Sequence, residues 1–591
     1  MKTFVIKTGF IMLFISILQI SGKSQSIAEL LDGYYAYNRF WGSVLVVQND
    51  NVVFQKSYGY ADKDNKIKND ANTLFDLGSV TKTMTAVAIL TLHDEGKLSV
   101  YDRVDKYIPG FINDNTENIT IINLLNHTSG MAANLGRIDE EGKNLVLPTN
   151  EPVSLQDLVE KFKSSKLKYQ PGKRYEYNNY GYTLLAYIIE KVSGMTYADY
   201  LNKAILSKAN MTNTFYKLNL AKRTAIGYAG VGTNDIFPAK DEFHPSWIIG
   251  AGYMFSTTND LSNYMQAVFS HQLFSKNTLN LMMDTLFTTR KGGKYWALGW
   301  EKQKIDGLDC YAHSGGVFGY SSRIAYLPEK NIYIIVLSNL VKDIKFDEIY
   351  SAKFSFVDEI VENIIKIQNN KTVTYLPVPK GKADKKLAGK YKFDSSHFTD
   401  LSIRNDTLVL STDPKGNFTL FDYCYNTEIA DTGLNYPVCR EFAQSILAAN
   451  FDGFEKYASD EIKKGLFNPE GIKQINGAWK SYAAQSGNFL SYNICNRTEN
   501  NYTIAFHYEK AEIIMQLSFN SKNLLQGLFF LNVLPKCEIH TVSLVPVGNN
   551  EYVVDGYKYG GYGDYRIKFD GSKQTLSFNN ATESFNAQKI N

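Results

Sequence analysis

The chain has 591 residues, 44% of them hydrophobic and 21% charged, with a formal net charge of +3. That length excludes one ordinary domain, and that apolar fraction excludes a disordered or fibrous chain. Near balance of charge leaves no electrostatic footprint for nucleic acid or an anionic membrane.

In chain order, Lys2 and Lys7 precede the apolar stretch "FIMLFISILQI", and "SGKSQS" follows it. A charged start, a short hydrophobic middle and small residues form a secretory signal, so residues 1–24 are expected to be removed before Gln25. The protein is then secreted or periplasmic, with no stable membrane span after cleavage, because the apolar run falls short of the roughly 20 residues a span needs. The five cysteines (Cys310, Cys424, Cys439, Cys495 and Cys537) leave at least one unpaired within the chain and contain no CxxC. Their pairing cannot be read from spacing. "WGSVLVVQNDNVVFQKSYGYAD" reads as two strands turning at Asn49-Asp50-Asn51. A helix follows Ser79, helical patterns dominate from Thr120 to about Ile205, and strands return in "SSRIAYLPEKNIYIIVLSNL". Val357, Ile360, Val361, Ile364 and Ile365 make one face of a closing amphipathic helix. Strands at both ends with helices between imply a sheet whose first and last strands are neighbours.

Residues 368–386 are polar, with two prolines and several lysines, and read as a linker. Short alternating strands from 387 to 425 suggest the start of a barrel. Residues 436–536 change character, with helical spacing at Ile472, Ile475, Trp479 and Tyr482 and then three strand-like runs. This order resembles the cone-shaped α+β fold of nuclear-transport-factor-like domains. Residues 538–591 return to short strands and resemble the closing half of a lipocalin-like β-barrel, with the α+β block inserted in it.

Three short motifs carry the chemistry. In "LFDLGSVTKTMTAVAIL", Ser79 and Lys82 lie three apart at the start of an apolar helix. A hydroxyl there sits at the positive end of the helix dipole, and a lysine with a burial-lowered pKa can take its proton. In "RYEYNNYGYTLLAYIIEKVSG", Tyr177 and Asn179 close a loop before a helix, offering a phenol for proton transfer and an amide that both donates and accepts. In "CYAHSGGVFGYSSRIAYLP", His313 precedes Gly315 and Gly316, where a strand without side chains lets a substrate lie close and an N–H meet an oxyanion. Strand alternation puts Cys310 on the face opposite His313. Each motif alone has a plainer reading: a helix cap with a snorkelling lysine, aromatic packing, a core histidine.

Together and in this order, Ser-x-x-Lys, Tyr-x-Asn and His-x-Gly resemble the three motifs of the penicillin-recognising serine hydrolases, most closely the class C β-lactamase-like branch. "LLNHTSG" and "GAGYMFSTTNDL" fit as well, and the resemblance covers about residues 27–367. It implies an α+β fold, an antiparallel sheet flanked by helices with a helical subdomain. It also implies an acyl-enzyme mechanism on an amide or ester carbonyl, without cofactor or metal. Ser79 is then the nucleophile, with Lys82 and Tyr177 sharing the base role and which of them takes the proton left open. Asn179 orients Lys82 and the substrate amide, and the N–H groups of Ser79 and Gly316 form the oxyanion hole. The substrate it implies is a small molecule or peptide, with cell-wall fragments among the candidates. Efficient β-lactamases of the family usually carry lysine where this chain has His313, so peptidase, carboxypeptidase or esterase activity is expected over β-lactamase activity. The competing function is a non-catalytic protein of this fold that binds peptidoglycan or a partner through its C-terminal blocks.

Overall fold

The computed structural model describes residues 22–111, 119–132, 149–163, 167–216, 224–231, 235–239, 243–289, 293–347, 350–376, 384–392, 398–404, 407–412, 436–498, 501–509, 511–535, 541–548, 551–555, 566–570, 575–579 and 584–590. Residues 1–21, with most of the expected signal, lie outside these. Among the described residues no helix is long and apolar enough to cross a membrane. The chain divides into two units, Met1–Asp343 with Lys353–Val378, and Ile344–Ala352 with Pro379–Asn591.

The first unit is built on an eight-stranded sheet. Its strands are β1 (Gly42–Gln48), β2 (Asn51–Tyr58), β3 (Phe287–Thr288), β4 (Lys294–Trp296), β5 (Glu301–Ile305), β6 (Leu308–Val317), β7 (Tyr320–Leu327) and β8 (Ile332–Ser338). Their order is β3-β4-β5-β6-β7-β8-β1-β2, antiparallel at every pairing. The β1–β2 hairpin turns through Asn49 and Asp50 at φ 49° and 65°, a left-handed pair that these short polar side chains tolerate. The expected neighbouring of first and last strands is met by β1 and β8, with Gly42 opposite Ser338.

Both faces of the sheet are covered, which is why β1 and β8 read as continuous apolar runs rather than alternating ones. One face, with Leu45, Val47, Tyr311, Ile324, Ile335 and Leu337, packs on α1 (Thr81–Asp94), α2 (Asn179–Ser193) and α3 (Thr258–Phe269). The other, with Val44, Val46, Cys310, Ala312, Ile334 and Val336, packs on the helix at residues 22–36 and on α4 (Val357–Gln368). All five apolar positions named for the closing helix are buried there. Cys310 lies in this second layer and is a free, buried thiol. Val373 joins the same core and Leu376 packs against it, so the stretch read as a linker starts as packed chain.

In the second unit, β9 (Gly389–Lys392), β10 (Phe398–Arg404) and β11 (Thr407–Thr412) are followed by α5 (Tyr436–Ala448), α6 (Asp460–Gly465) and α7 (Pro469–Ser486). Then come β12 (Phe489–Thr498), β13 (Asn501–Tyr508), β14 (Ala511–Phe519) and β15 (Leu525–Pro535). These four form one antiparallel sheet, whose first strand the sequence reading missed. The final strands are β16 (Thr541–Gly548), β17 (Glu551–Asp555), β18 (Arg566–Asp570), β19 (Thr575–Asn579) and β20 (Ser584–Ile590). Pairing runs β9-β10-β11-β16-β17-β18-β19-β20 and returns from β20 to β9, a closed order. Ile475 and Trp479 of α7 sit in a separate core with Ile504, Phe506 and Met515.

Candidate active site

Ser79 stands in a single 3₁₀ turn, Gly78–Val80, that runs into α1. Three supports fix the turn. Gly78 N–H donates to Asp76 Oδ1 at 2.8 Å, Leu77 N–H to the Met254 carbonyl at 2.8 Å, and Ser322 Oγ to the Leu77 carbonyl at 2.7 Å. Gly78 has φ 49°, and a Cβ there would lie 2.6 Å from Gly316 N. A Cβ on Gly315 would lie 2.0 Å from the Leu77 carbonyl oxygen and 2.9 Å from Ser79 N. Both positions must therefore be glycine for the turn and β6 to come together. The contact brings the turn that carries Ser79 and the Gly315-Gly316 stretch of β6 into close approach beside the serine.

Neither plainer reading of the first motif survives. No side-chain cap bond is made by the residues that cap the turn or α1, and Lys82 is 0% exposed. Its Nζ is 3.0 Å from Ser79 Oγ and 2.8 Å from the Ala251 carbonyl, to which it donates. Burial drives the Lys82 pKa well below the ordinary lysine value, because desolvation disfavours the charged form. A neutral amine has two N–H donors and one lone pair; here Nζ donates to the Ala251 carbonyl and to Ser79 Oγ, which leaves the lone pair free to accept a proton.

Tyr177 and Asn179 flank the start of α2. Asn178 caps that helix by accepting from Gly181 N–H at 3.0 Å, and Asn179 is its first residue. The Tyr177 hydroxyl hydrogen-bonds with Ser79, while burial pushes its phenol pKa up. Lys82 Nζ lies 4.9 Å from the Tyr177 ring centroid. Ser79, Lys82 and Tyr177 are thus brought into one cluster. The Ala251 carbonyl is a Lys82 partner that the motifs did not offer.

His313 is 2% exposed and sits on the face of β6 toward this cluster, opposite Cys310. Its Nδ1–H donates to the Ser314 carbonyl at 2.7 Å, which leaves Nε2 bare; that atom is buried without a hydrogen-bond partner among the described residues. Burial, with Lys82 nearby, lowers its pKa to about 4, against the pull of Glu301. At pH 7 it is an uncharged acceptor. Behind it, Ser314 Oγ, Arg323 and Asp358 form a polar network on the other face, and Arg323 pairs with Glu301 at 3.0 Å. Burial pushes the Glu301 carboxyl up, but Arg323 and Lys294 outweigh it and hold the group below its usual range.

Two residues that the sequence reading did not single out complete the wall. His127, in "LLNHTSG", is 1% exposed, with its ring centroid 4.4 Å from that of Tyr177 and 4.7 Å from that of Trp296. Trp296 in turn meets His313 edge to face at 5.4 Å. The motif around His127 was visible in the sequence, but the tryptophan had no local signal.

The family model described as "Beta-lactamase" matches residues 27–351. Protein flp of Staphylococcus aureus (strain MRSA252) is 33% identical over 305 residues, 50% of this chain and 59% of its own length. This chain thus spans less than two thirds of that relative. Penicillin-binding protein 4* of Bacillus subtilis (strain 168) is 30% identical over 346 residues, 55% of this chain and 74% of its own length. Among solved structures, D-amino acid amidase from Ochrobactrum anthropi SV3 is 22% identical with TM-score 0.51, covering 59% of this chain and 99% of its own. The octameric penicillin-binding protein homologue from Pyrococcus abyssi is 20% identical with TM-score 0.52, covering 88% of this chain and 100% of its own. At these identities the two structures speak for the fold alone.

Proposed function

We propose that this chain, which belongs to the beta-lactamase family of serine hydrolases, cleaves an amide or ester bond through an acyl-enzyme on Ser79. The observation that carries the reading is the buried Lys82 amine on the Ser79 hydroxyl at 3.0 Å. Ser79 Oγ attacks the carbonyl carbon and passes its proton to the Lys82 lone pair. The oxyanion is held by the N–H groups of Ser79 and Gly316. The proton then moves from Lys82 through the Tyr177 hydroxyl to the departing nitrogen or oxygen, and the C–N or C–O bond breaks. Water attacks the ester so formed, with the same groups returning the proton to Ser79. Lys82 rather than Tyr177 is the base, because burial favours the neutral form of both groups, and only for lysine is that form the proton acceptor.

The substrate class is a D-amino-acid amide, a peptide with a D-residue beside the scissile bond, or a simple ester. The name of one relative, penicillin-binding protein 4*, supports the amide readings, because a penicillin is a cyclic amide. An uncharged His313 attracts a substrate carboxylate less than an ammonium would, which supports weak or no β-lactamase turnover. Asn179, the first residue of α2, orients Lys82 and the substrate amide, and Gly315 and Gly316 on β6 let the substrate backbone lie close. The protein works outside the cytoplasm, secreted or periplasmic. Its C-terminal part pairs a lipocalin-like barrel with an inserted nuclear-transport-factor-like block.

The test is a hydrolysis panel on the protein and its Ser79→Ala variant: a chromogenic cephalosporin, a D-alanyl-D-alanine peptide, D-amino-acid amides and p-nitrophenyl esters. A phosphonate or penicillin adduct on the Ser79 peptide by mass spectrometry is the expected companion result. Folded protein with no adduct on Ser79 and no turnover above the alanine variant overturns the reading, and leaves binding through the C-terminal blocks as the function.

A further inference from the structure

His127 stands where a purely apolar ring would pack with less cost. Its Nδ1 accepts the Asn178 N–H at 3.1 Å, so the neutral ring carries its hydrogen on Nε2. That Nε2 is buried and has no hydrogen-bond partner among the described residues. An unmet buried donor is unfavourable, and a phenylalanine would fill the same space between Tyr177, Tyr182 and Trp296 without it. What phenylalanine would lose is the acceptor for Asn178.

That acceptor is half of a two-point hold. The His127 carbonyl accepts the Glu176 N–H at 2.9 Å, while the ring accepts the Asn178 N–H. The two bonds straddle Tyr177. The same segment continues as a rail: the Thr128 carbonyl accepts Gly172 N–H at 2.8 Å and the Gly130 carbonyl accepts Lys168 N–H at 2.8 Å. His127 itself has φ 58°, in the left-handed region that histidine and asparagine tolerate better than most side chains. A backbone in that region persists where its surroundings over-determine it. From it, carbonyl and ring address successive residues of the same loop.

We infer that His127 is a positioning residue, clamping the backbone on both sides of Tyr177 so that the phenol meets the Ser79 hydroxyl. The inference rests on Tyr177 relaying a proton in the proposed hydrolysis. Small displacements of such a group are costly, with about 1 Å enough to lose roughly 100-fold in rate.

The test uses the full chain and the burst of a p-nitrophenyl ester, with the unfolding midpoint measured on every variant. His127→Phe keeps the ring and loses the acceptor. His127→Asn keeps an acceptor near Nδ1 and tolerates the positive φ. His127→Gly tolerates the φ and loses both. The acylation rate is expected to fall about 30-fold in the phenylalanine and glycine variants, with KM within about 2-fold, and to recover to within about 5-fold of wild type in the asparagine variant. Should the phenylalanine variant not fold, glycine against asparagine makes the same comparison. A phenylalanine variant that acylates like wild type overturns the clamp. So does an asparagine variant no faster than glycine, a change in KM alone, or failure of all three to fold. Ser79→Ala and Tyr177→Phe are run beside them: if these acylate normally the hydrolase reading fails, whereas if they are inactive and His127→Phe is not, only the clamp fails.

Discussion

Acid should destabilise the first unit through His313, by an amount that can be worked from its surroundings. An exposed histidine in the unfolded chain titrates near 6.5, and the buried one near 4. Between those values the unfolded state binds a proton that the folded state does not, so stability falls as pH falls. The contribution is fully present above about pH 6.5 and exhausted by about pH 4. At 1.36 kcal/mol per unit the whole gap is worth about 3 kcal/mol, and the part lost by pH 5 is about 2 kcal/mol. His313→Asn removes the titration while its amide can still donate to the Ser314 carbonyl. Urea unfolding followed by tryptophan fluorescence reads mainly the first unit, which holds Trp41, Trp247, Trp296 and Trp300 of the five tryptophans. Wild type is expected to lose about 2 kcal/mol more than the variant between pH 7.5 and 5. His127 and Glu301 feel the His313 charge, but at pH 5 and above the folded protein holds His313 mostly uncharged, so groups common to both proteins largely drop out of the difference. Equal acid losses in the two proteins would refute the claim that His313 is held neutral by burial.

Lys82→Met should lower acylation by about 10²- to 10⁴-fold in the ester burst, the range for loss of a general base. The same variant should unfold at higher urea than wild type at pH 7. Wild type buries a neutral amine that the unfolded chain protonates, so its stability rises with pH up to about 10.5, and the advantage of methionine should shrink over that interval. An advantage that does not change with pH would place the ammonium, not the amine, in the folded site. Gly315→Ala should cost about 1–3 kcal/mol, because its methyl would meet the Leu77 carbonyl 2.0 Å away. Acylation should fall with it as the turn and β6 separate; unchanged urea midpoints and bursts would show that the two need not touch.

What the sequence made legible is what local spacing encodes. The closing helix followed from five apolar positions, the first hairpin from an Asn-Asp-Asn turn, and the opposite facing of Cys310 and His313 from the alternation of a strand. Ser79, Lys82 and Tyr177 were legible as an ordered set of short motifs. The rest depends on groups far apart in sequence. Ala251 contributes only a backbone carbonyl, which no residue type announces. Trp296 joins His127, Tyr177 and His313 edge-on, from a strand more than 100 residues from the first two in the chain. Strand β12 was missed because Ser, Asn and Cys interrupt its apolar alternation in "FLSYNICNRT"; it is held by its ladder with β13 instead.

The neighbouring of β1 and β8 also governs when this chemistry can first exist. The proposed nucleophile is made early in the chain, but the strand proposed to supply its second oxyanion donor is made more than 200 residues later. On that proposal a nascent chain that ends before Gly316 carries the serine and lysine with no oxyanion hole to complete them. Contacts of such long range are slow to form, because the entropy of closing the loop is lost before the strands reward it. Reactivity therefore arrives late and all at once, with the docking of the last strands rather than with the synthesis of the serine.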